Sequence, residues 1–168
     1  MDANDIKALQ APLKQKYRED PASAVITLRA RARLGEGITC KVETGKALVE
    51  AGLHPATGGD GLSACSGDMV LEALVACAGV TLRAVAIATG IPLRDATITA
   101  EGKLDFRGTL AVAKDAPVGL QRIRLKFDLD SDATAEQLET LIRLTERYCV
   151  VYQTLSKPPE IAVTYEPK

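Results

Sequence analysis

Hydrophobic and polar residues alternate along the stretch AVITLRARARL. One set of alternate positions holds Val25, Thr27, Arg29, Arg31 and Arg33, and the other holds Ile26, Leu28, Ala30 and Ala32. A period of two predicts a strand with one face toward the core and one toward water. The turn residues GEG and the stretch ITCKVET follow, so the pattern predicts a β-hairpin.

Two other stretches have helical spacing. Apolar residues recur every three or four positions near the start of the chain, which predicts an N-terminal helical arm over about residues 1–20. The longest apolar stretch, about residues 68–89, predicts a central helix. Gly90 and then Pro92 follow it in the order expected after a helix C-terminus. A long run of small and turn-forming residues before this helix predicts a loop over 45–67.

The second half of the chain alternates strands with one more helix. DATITAEGKLDF and LQRIRLKFDLD predict two further antiparallel strands. Thr134–Gln137, TAEQ, resembles a capping box, and the apolar residues after it share a helical face that ends at Cys149. EIAVTYEP predicts a last short strand. The order of elements predicts one α+β domain over residues 1–168, with antiparallel sheet packed against helices.

Charge and composition limit the partners and the compartment. Lys and Arg (21) nearly balance Asp and Glu (22), so no overall field favours nucleic acid or a membrane, and we expect neither as a partner. Glu72 and Arg83 interrupt the apolar stretch, which favours a core helix over a membrane span. The N-terminus lacks the pattern of a secretory signal, so a cytoplasmic protein is expected.

Four cysteines carry the candidate chemistry: Cys40, Cys65, Cys77 and Cys149. No two of them have CxxC spacing, and a reducing cytoplasm argues against a structural disulfide framework. A single cysteine in an apolar helix is most often a small buried hydrophobe. Cys77 and Cys149 nevertheless lie in two apolar helices of one small core, where their sulfurs can meet. Spacing alone does not decide between these alternatives.

Other chemical motifs are weak. His54 is the only histidine, so a histidine-rich metal site is excluded and a Cys/His nucleophilic pair would need this one loop residue. TGK at Thr44–Lys46 lacks the upstream glycine of a phosphate loop, and TGGDG lacks a strand-to-helix context. Aromatic residues are too few for a nucleic-acid stacking platform. We expect no metal and no cofactor.

Two segments resemble the OsmC/Ohr family. GDMVLEALVACAGVTL is similar to the helix that carries the family's first cysteine, and ERYCVVYQTL resembles the segment of its second cysteine. The hairpin and the intervening strands follow in the family's order. The resemblance implies an OsmC-like fold, in which antiparallel sheets surround a long central helix in an intertwined homodimer. It also implies a thiol-dependent peroxidase that reduces organic hydroperoxides with electrons from an external thiol.

The resemblance further implies residue roles. Cys77 would be the peroxidatic thiolate and Cys149 the resolving thiol. The family supports the thiolate with an arginine held by a carboxylate, and among the arginines of the first hairpin Arg33 is our choice. The family's glutamate position, ten residues before the cysteine, is Gly67 here, and the nearest acid is Asp68.

Departures from the family pattern leave alternatives open. The proline that usually follows the second cysteine is absent. At about 100° per residue, Asp68 lies half a turn away from Cys77, so it fits a helix cap or dipole partner equally well. Arg33 fits a solvated strand face as well. Cys65, just before the helix N-terminus, is either a second reactive thiol or an inert loop residue, and Cys40 fits a structural role.

Two other functions stay open beside the peroxidase. One is a dimer of the same fold that binds a hydrophobic small molecule in an apolar pocket without thiol chemistry. The other is a structural dimer associated with stress, in which the thiols are buried and unreactive.

Overall fold

An antiparallel sheet organises the computed structural model, which describes residues 3–34, 40–42, 51–62 and 64–167. Its strands lie in the order β2-β1-β3-β4. They are β1 (Val25–Leu34), β2 (Cys40–Val42), β3 (Asp95–Asp105) and β4 (Leu120–Asp130). Every neighbouring pair is antiparallel, which confirms the predicted hairpin and the two later strands.

Five helices accompany the sheet in the described part of the chain. They are α1 (Ala3–Glu19), α2 (Ser66–Thr89), α3 (Phe106–Thr109), α4 (Ala135–Tyr148) and α5 (Val150–Ser156). Gly90 ends α2 with a φ of 67°, in the left-handed region that glycine adopts without strain. Thr134 and Gln137 form the predicted capping box at the start of α4.

The core lies between α2 and one face of the sheet, which we call the inner face. Leu71, Leu74 and Leu82 of α2 are buried there, with Ile98 of β3 and Leu141 of α4. Gly102 of β3 allows close packing, since a Cβ on it would lie 2.5 Å from Leu120 Cδ2 and 3.4 Å from both Leu71 Cδ atoms. The strand period of two therefore brings α2 against the apolar positions of the sheet.

One side of α2 remains uncovered. Met69, Val70, Val80 and Ile87 are exposed there, and Ile87 exposes 59% of its surface. This exposed stripe follows helical spacing along the length of α2. By length and composition α2 is apolar enough to cross a membrane, and core helices pass the same test. In this chain its opposite side is the core of the fold.

Two predictions from the sequence, the last strand and the long loop, are not confirmed by the structure. The last strand, predicted over EIAVTYEP, is wrong: this segment has no regular structure, and Ile161, Val163 and Tyr165 each expose more than 80% of their surface. Within the described part of the chain, this segment pairs with no strand. The loop predicted over 45–67 lies partly outside the described residues, and its described part contains a short 3-10 helix, Pro55–Thr57.

Candidate active site

Cys77 lies in the middle of α2, at the border between the core side of the helix and the exposed stripe. Its neighbours Val75 and Ala78 are buried, whereas Cys77 itself is half-buried. α4 and α5 pack against this same helix. The sulfur is therefore held by the core and is still open to a small molecule from one side.

Cys149 lies at the junction of two helices. It is the C-cap of α4 and the N-cap of α5, with an extended backbone conformation, and its Sγ accepts a hydrogen bond from the Tyr152 N–H at 3.5 Å. The side chain is 1% exposed. Leu141 and Thr145, on the same face of α4, are equally buried, as the helical pattern predicted.

The fold brings the two sulfurs together as free thiols. Cys77 interacts with the Cys149 thiol, with the Thr81 hydroxyl one turn further along α2, and with the backbone N–H groups of Val150 and Val151. Thr81 and the two N–H donors did not emerge as site residues from the sequence. The TL pair after Cys77 was a signal for the first, but nothing in the sequence indicated that the chain turns at Cys149.

These contacts move the two pKa values in opposite directions. Burial acts to raise the pKa of Cys77, but the N–H of Val151, the Cys149 thiol and the Thr81 hydroxyl prevail, and the pKa lies below its ordinary value of 9.0. Burial raises the pKa of Cys149 to about 11, and the charge on Cys77 adds to this effect. Cys77 is therefore the thiol of the pair that loses its proton first, and Cys149 stays protonated to higher pH.

We expect the rates of alkylation of the two cysteines to follow their different pKa values. In a variant that keeps only Cys77 and Cys149, with Cys40→Ser and Cys65→Ser, iodoacetamide should modify Cys77 first. The rate should rise with pH through a midpoint below 9.0, because a lowered pKa leaves the thiolate populated at lower pH. Peptide mapping after timed quenching measures this rate. First modification of Cys149, or a midpoint above 9.0, would contradict the assignment.

Arg33 is not close to Cys77 within the chain. It is exposed on β1 opposite Thr97 of β3, while the next residue, Leu34, is buried. Since successive strand residues point to opposite faces, Arg33 lies on the face of the sheet away from α2. Arg31 is exposed on that same face, and the side chain of Arg29 lies outside the described part. The sheet therefore separates both described arginines from the sulfur of their own chain.

Asp68 lies in the first turn of α2, nine residues before Cys77. Burial raises the pKa of its carboxyl group, and the nearby His54 opposes this shift. His54 accepts a hydrogen bond from the Ala56 N–H at Nδ1, and its ring stacks on Phe106. Asp68 is thus placed to stabilise the N-terminus of α2, and the structure does not bring it to the cysteine pair.

The other cysteines lie apart from the pair. Cys65 is the half-buried N-cap residue of α2 and packs against the core. Cys40 pairs through its backbone with Leu34, and its side chain lies outside the described part. Among the described residues, no group of three His, Cys, Asp or Glu side chains is arranged to hold a metal ion.

A groove of about 540 Å³, lined by both apolar and polar residues, lies beside the pair, between β4 and helices α4 and α5. Leu74 and Tyr152 connect it to the cysteines, since Leu74 precedes Cys77 by three residues and Tyr152 donates its N–H to Cys149. Leu125, Phe127, Ile142 and Leu155 form much of the remaining apolar lining. Such a groove suits an apolar group next to the thiols.

Fold and site together define an α+β protein with a paired thiol in its core. The profile of the OsmC-like protein family matches residues 58–164, more than half of the chain. The chain therefore belongs to the OsmC-like family, which confirms the resemblance drawn from the two cysteine segments.

Solved structures show the same fold. An OsmC-like hydroperoxide resistance protein from Jannaschia sp. CCS1 is similar with a TM-score of 0.57 and 18% identity, over 82% of this chain and 91% of that chain. An OsmC-like protein from Mycoplasma pneumoniae is similar with a TM-score of 0.56 and 16% identity, over 80% of this chain and 86% of that chain. No curated protein matches the chain significantly in sequence.

Proposed function

We propose that this protein is a thiol-dependent peroxidase that reduces organic hydroperoxides through Cys77 and Cys149. The observation that carries the proposal is the contact between a thiol of lowered pKa and a second, buried thiol. Membership of the OsmC-like family and the likeness to a hydroperoxide resistance protein support it.

The first step is attack of the Cys77 thiolate on the terminal oxygen of the hydroperoxide. An S–O bond forms and the O–O bond breaks, so the sulfur loses two electrons and becomes a sulfenic acid. The other oxygen leaves as an alkoxide and takes a proton from water to become an alcohol. The Val150 and Val151 N–H groups and the Thr81 hydroxyl support the thiolate before attack.

The second step is attack of Cys149 on the Cys77 sulfenic acid. An S–S bond forms, the S–O bond breaks, and the Cys149 proton leaves with the hydroxyl group as water. Once Cys77 is oxidised it carries no thiolate charge, so one cause of the raised Cys149 pKa disappears. An external dithiol then reduces the disulfide. A cycle that returns both thiols to the reduced state suits the cytoplasm.

Turnover tests this proposal directly. With excess dithiothreitol, the protein should consume cumene hydroperoxide catalytically. Hydrogen peroxide should react more slowly, because the aliphatic and aromatic side chains that line part of the groove favour an apolar substituent. Peroxide loss measured by xylenol orange gives both rates. Consumption no faster than with dithiothreitol alone would reject the proposal.

The groove also favours a second candidate function, the binding of a hydrophobic small molecule without thiol chemistry. Leu125, Phe127 and Ile142 are among its aliphatic and aromatic lining residues, and polar side chains such as Arg122 and Glu146 border it as well. Native mass spectrometry would show a bound apolar molecule. A bound molecule together with no oxidation of either thiol by stoichiometric peroxide would favour this function over the peroxidase.

We propose that the protein acts as a homodimer in which the exposed stripe of α2 is covered. A contiguous apolar stripe on a core helix is typical of a surface that another subunit buries. Light scattering at micromolar concentration should give twice the mass of the 17.8 kDa chain. Val80→Asp should shift the protein toward the monomer, whereas Val118→Asp, at an exposed position outside α2, should not. A monomeric wild-type protein would contradict the dimer.

A further inference from the structure

The chain breaks its helix at Cys149, and the break releases three backbone N–H groups from the helical ladder. In a continuous helix the N–H groups of Val150, Val151 and Tyr152 would each donate to the carbonyl four residues earlier. Cys149 instead has an extended backbone, with φ −71° and ψ 108°, and separates α4 from α5. Its own N–H makes the last bond of the α4 ladder, at 2.9 Å. The next three donors are therefore free to bind something else.

All three of these N–H groups are directed to a sulfur atom. Those of Val150 and Val151 donate toward Cys77, and that of Tyr152 donates to Cys149 Sγ at 3.5 Å. A continuous helix would consume the same groups in its own ladder. The support of the Cys77 thiolate by backbone donors therefore depends on the helix remaining broken at this position.

The break also leaves a carbonyl of α4 without its helical donor, and a side chain replaces that donor. In a continuous helix the Glu146 carbonyl would accept from the Val150 N–H. In the structure it accepts from the Gln153 side chain, whose Nε2 lies 2.8 Å from the oxygen. Gln153 is half-buried in α5, so this bond bridges the break between the two helices. The amide thus occupies the acceptor to which the Val150 N–H would otherwise return.

We propose that Gln153 is a positioning residue of the site: its amide holds the Glu146 carbonyl, keeps the chain broken between α4 and α5, and so leaves two N–H groups for the Cys77 sulfur. Without the amide, the vacant carbonyl should recapture the Val150 N–H, because backbone acceptors away from bulk water need a donor. The inference rests on the proposed peroxidase function, in which Cys77 is the nucleophile. The hydrogen bonds of the break can be tested apart from that reaction.

Gln153→Leu tests this role, because leucine keeps much of the side-chain volume and cannot donate a hydrogen bond. In the Cys40→Ser/Cys65→Ser background, the pH midpoint of Cys77 alkylation by iodoacetamide should move upward as the thiolate loses support. The rate at neutral pH should fall about threefold or more. The plateau rate at high pH should not fall, whereas a general loss of packing would change the rate at every pH. Each variant retains Cys149 and the charged side chains of α4 and α5.

Val150→Pro provides a background in which the break no longer needs the amide. Position 150 is the first residue of α5, where proline is favoured, and Cys149 already has the extended backbone that a following proline requires. Proline has no N–H to return to Glu146, and its ring clashes with a carbonyl four residues earlier. The Val151 N–H remains available to Cys77. Gln153→Leu should therefore change the neutral-pH alkylation rate by less than about 1.5-fold in this background.

Thr154→Val is the matched control for the loss of a side-chain donor. Thr154 is the next residue of α5, and its hydroxyl also donates to a backbone carbonyl, that of Val150, at 2.8 Å. This bond lies within α5 and does not cross the break. The midpoint of Cys77 alkylation should therefore stay at its wild-type value. Circular dichroism checks that each variant is folded, and Gln153→Met, which also lacks a donor, repeats the test if the leucine variant is not.

Three results would overturn the proposal. They are an unchanged midpoint in both Gln153→Leu and Gln153→Met, an equal shift in Thr154→Val, and the same shift with and without Val150→Pro. Turnover of cumene hydroperoxide is measured separately on the same proteins. If the wild type shows no turnover while the alkylation shift is present, the peroxidase proposal is wrong and the positioning role of Gln153 stands.

Discussion

Replacing Cys77 with serine is expected to reduce the turnover of cumene hydroperoxide by roughly a thousandfold or more. A serine hydroxyl stays protonated at neutral pH and is a far weaker nucleophile than a thiolate. The substitution nearly preserves side-chain volume at a half-buried position, so the fold should be retained. Peroxide consumption with dithiothreitol as the reductant measures the effect.

Cys65→Ser is the matched control for this experiment. It makes the same chemical change at another half-buried cysteine of α2, and it lies twelve positions before Cys77. Turnover within a factor of about two of the wild type is expected, because Cys65 takes no part in the proposed cycle. Full activity of Cys77→Ser, or a large loss in Cys65→Ser, would assign the chemistry to a different thiol.

Replacing Cys149 with serine should separate the two steps of the cycle. One equivalent of peroxide should still oxidise Cys77, but no intramolecular disulfide can follow. The sulfenic acid should then be trapped by dimedone, and excess peroxide should oxidise it further to sulfinic acid. Intact-mass spectrometry distinguishes these products.

Two substitutions of Cys149 test its contact with the Cys77 thiolate. Because the Cys149 thiol helps to lower the pKa of Cys77, the pH midpoint of Cys77 alkylation should move upward when this thiol is replaced by alanine. Cys149→Ser retains a hydroxyl donor and should shift the midpoint less. Catalytic turnover of either variant at the wild-type rate would show that Cys149 is not the resolving thiol.

Local patterns predicted the elements that depend on local chemistry. The alternation in β1, the capping box at Thr134 and the glycine at the end of α2 each appear in the structure. The signals for the capping box and the helix end lie within a few residues and require no partner element, whereas β1 forms because β2 and β3 pair with it. The predicted C-terminal strand failed because a strand also needs an edge to pair with, which a local pattern does not contain.

The contact between the two cysteines is the part of the site that the sequence did not predict. Helical spacing correctly placed Cys149 on the buried side of its helix, but whether it meets Cys77 depends on how α4 and α5 pack on α2. The break at Cys149 directs the backbone N–H groups of Val150 and Val151 toward the other sulfur. Such a contact is a tertiary property, so spacing alone did not predict it.

For Arg33, two features of the sequence pointed to different positions: the strand alternation and the likeness to the family. The alternation in β1 already assigned the arginines and the apolar residues to opposite faces, and the apolar face must meet the core helix. The choice of Arg33 came from the family's use of a hairpin arginine. Within one chain, the backbone N–H groups and Thr81 take the supporting position. Helical geometry likewise indicated that Asp68 faces away from Cys77.

Mass spectrometry with peptide mapping, after one equivalent of cumene hydroperoxide, shows directly whether Cys77 and Cys149 are the reactive pair. We expect rapid loss of these two thiols and a single disulfide-linked peptide pair that contains Cys77 and Cys149. The reduced sample, treated identically without peroxide, provides the control. If Cys77 and Cys149 are both unmodified after this treatment, the peroxidase proposal is wrong and the two cysteines are packing residues of an OsmC-like fold.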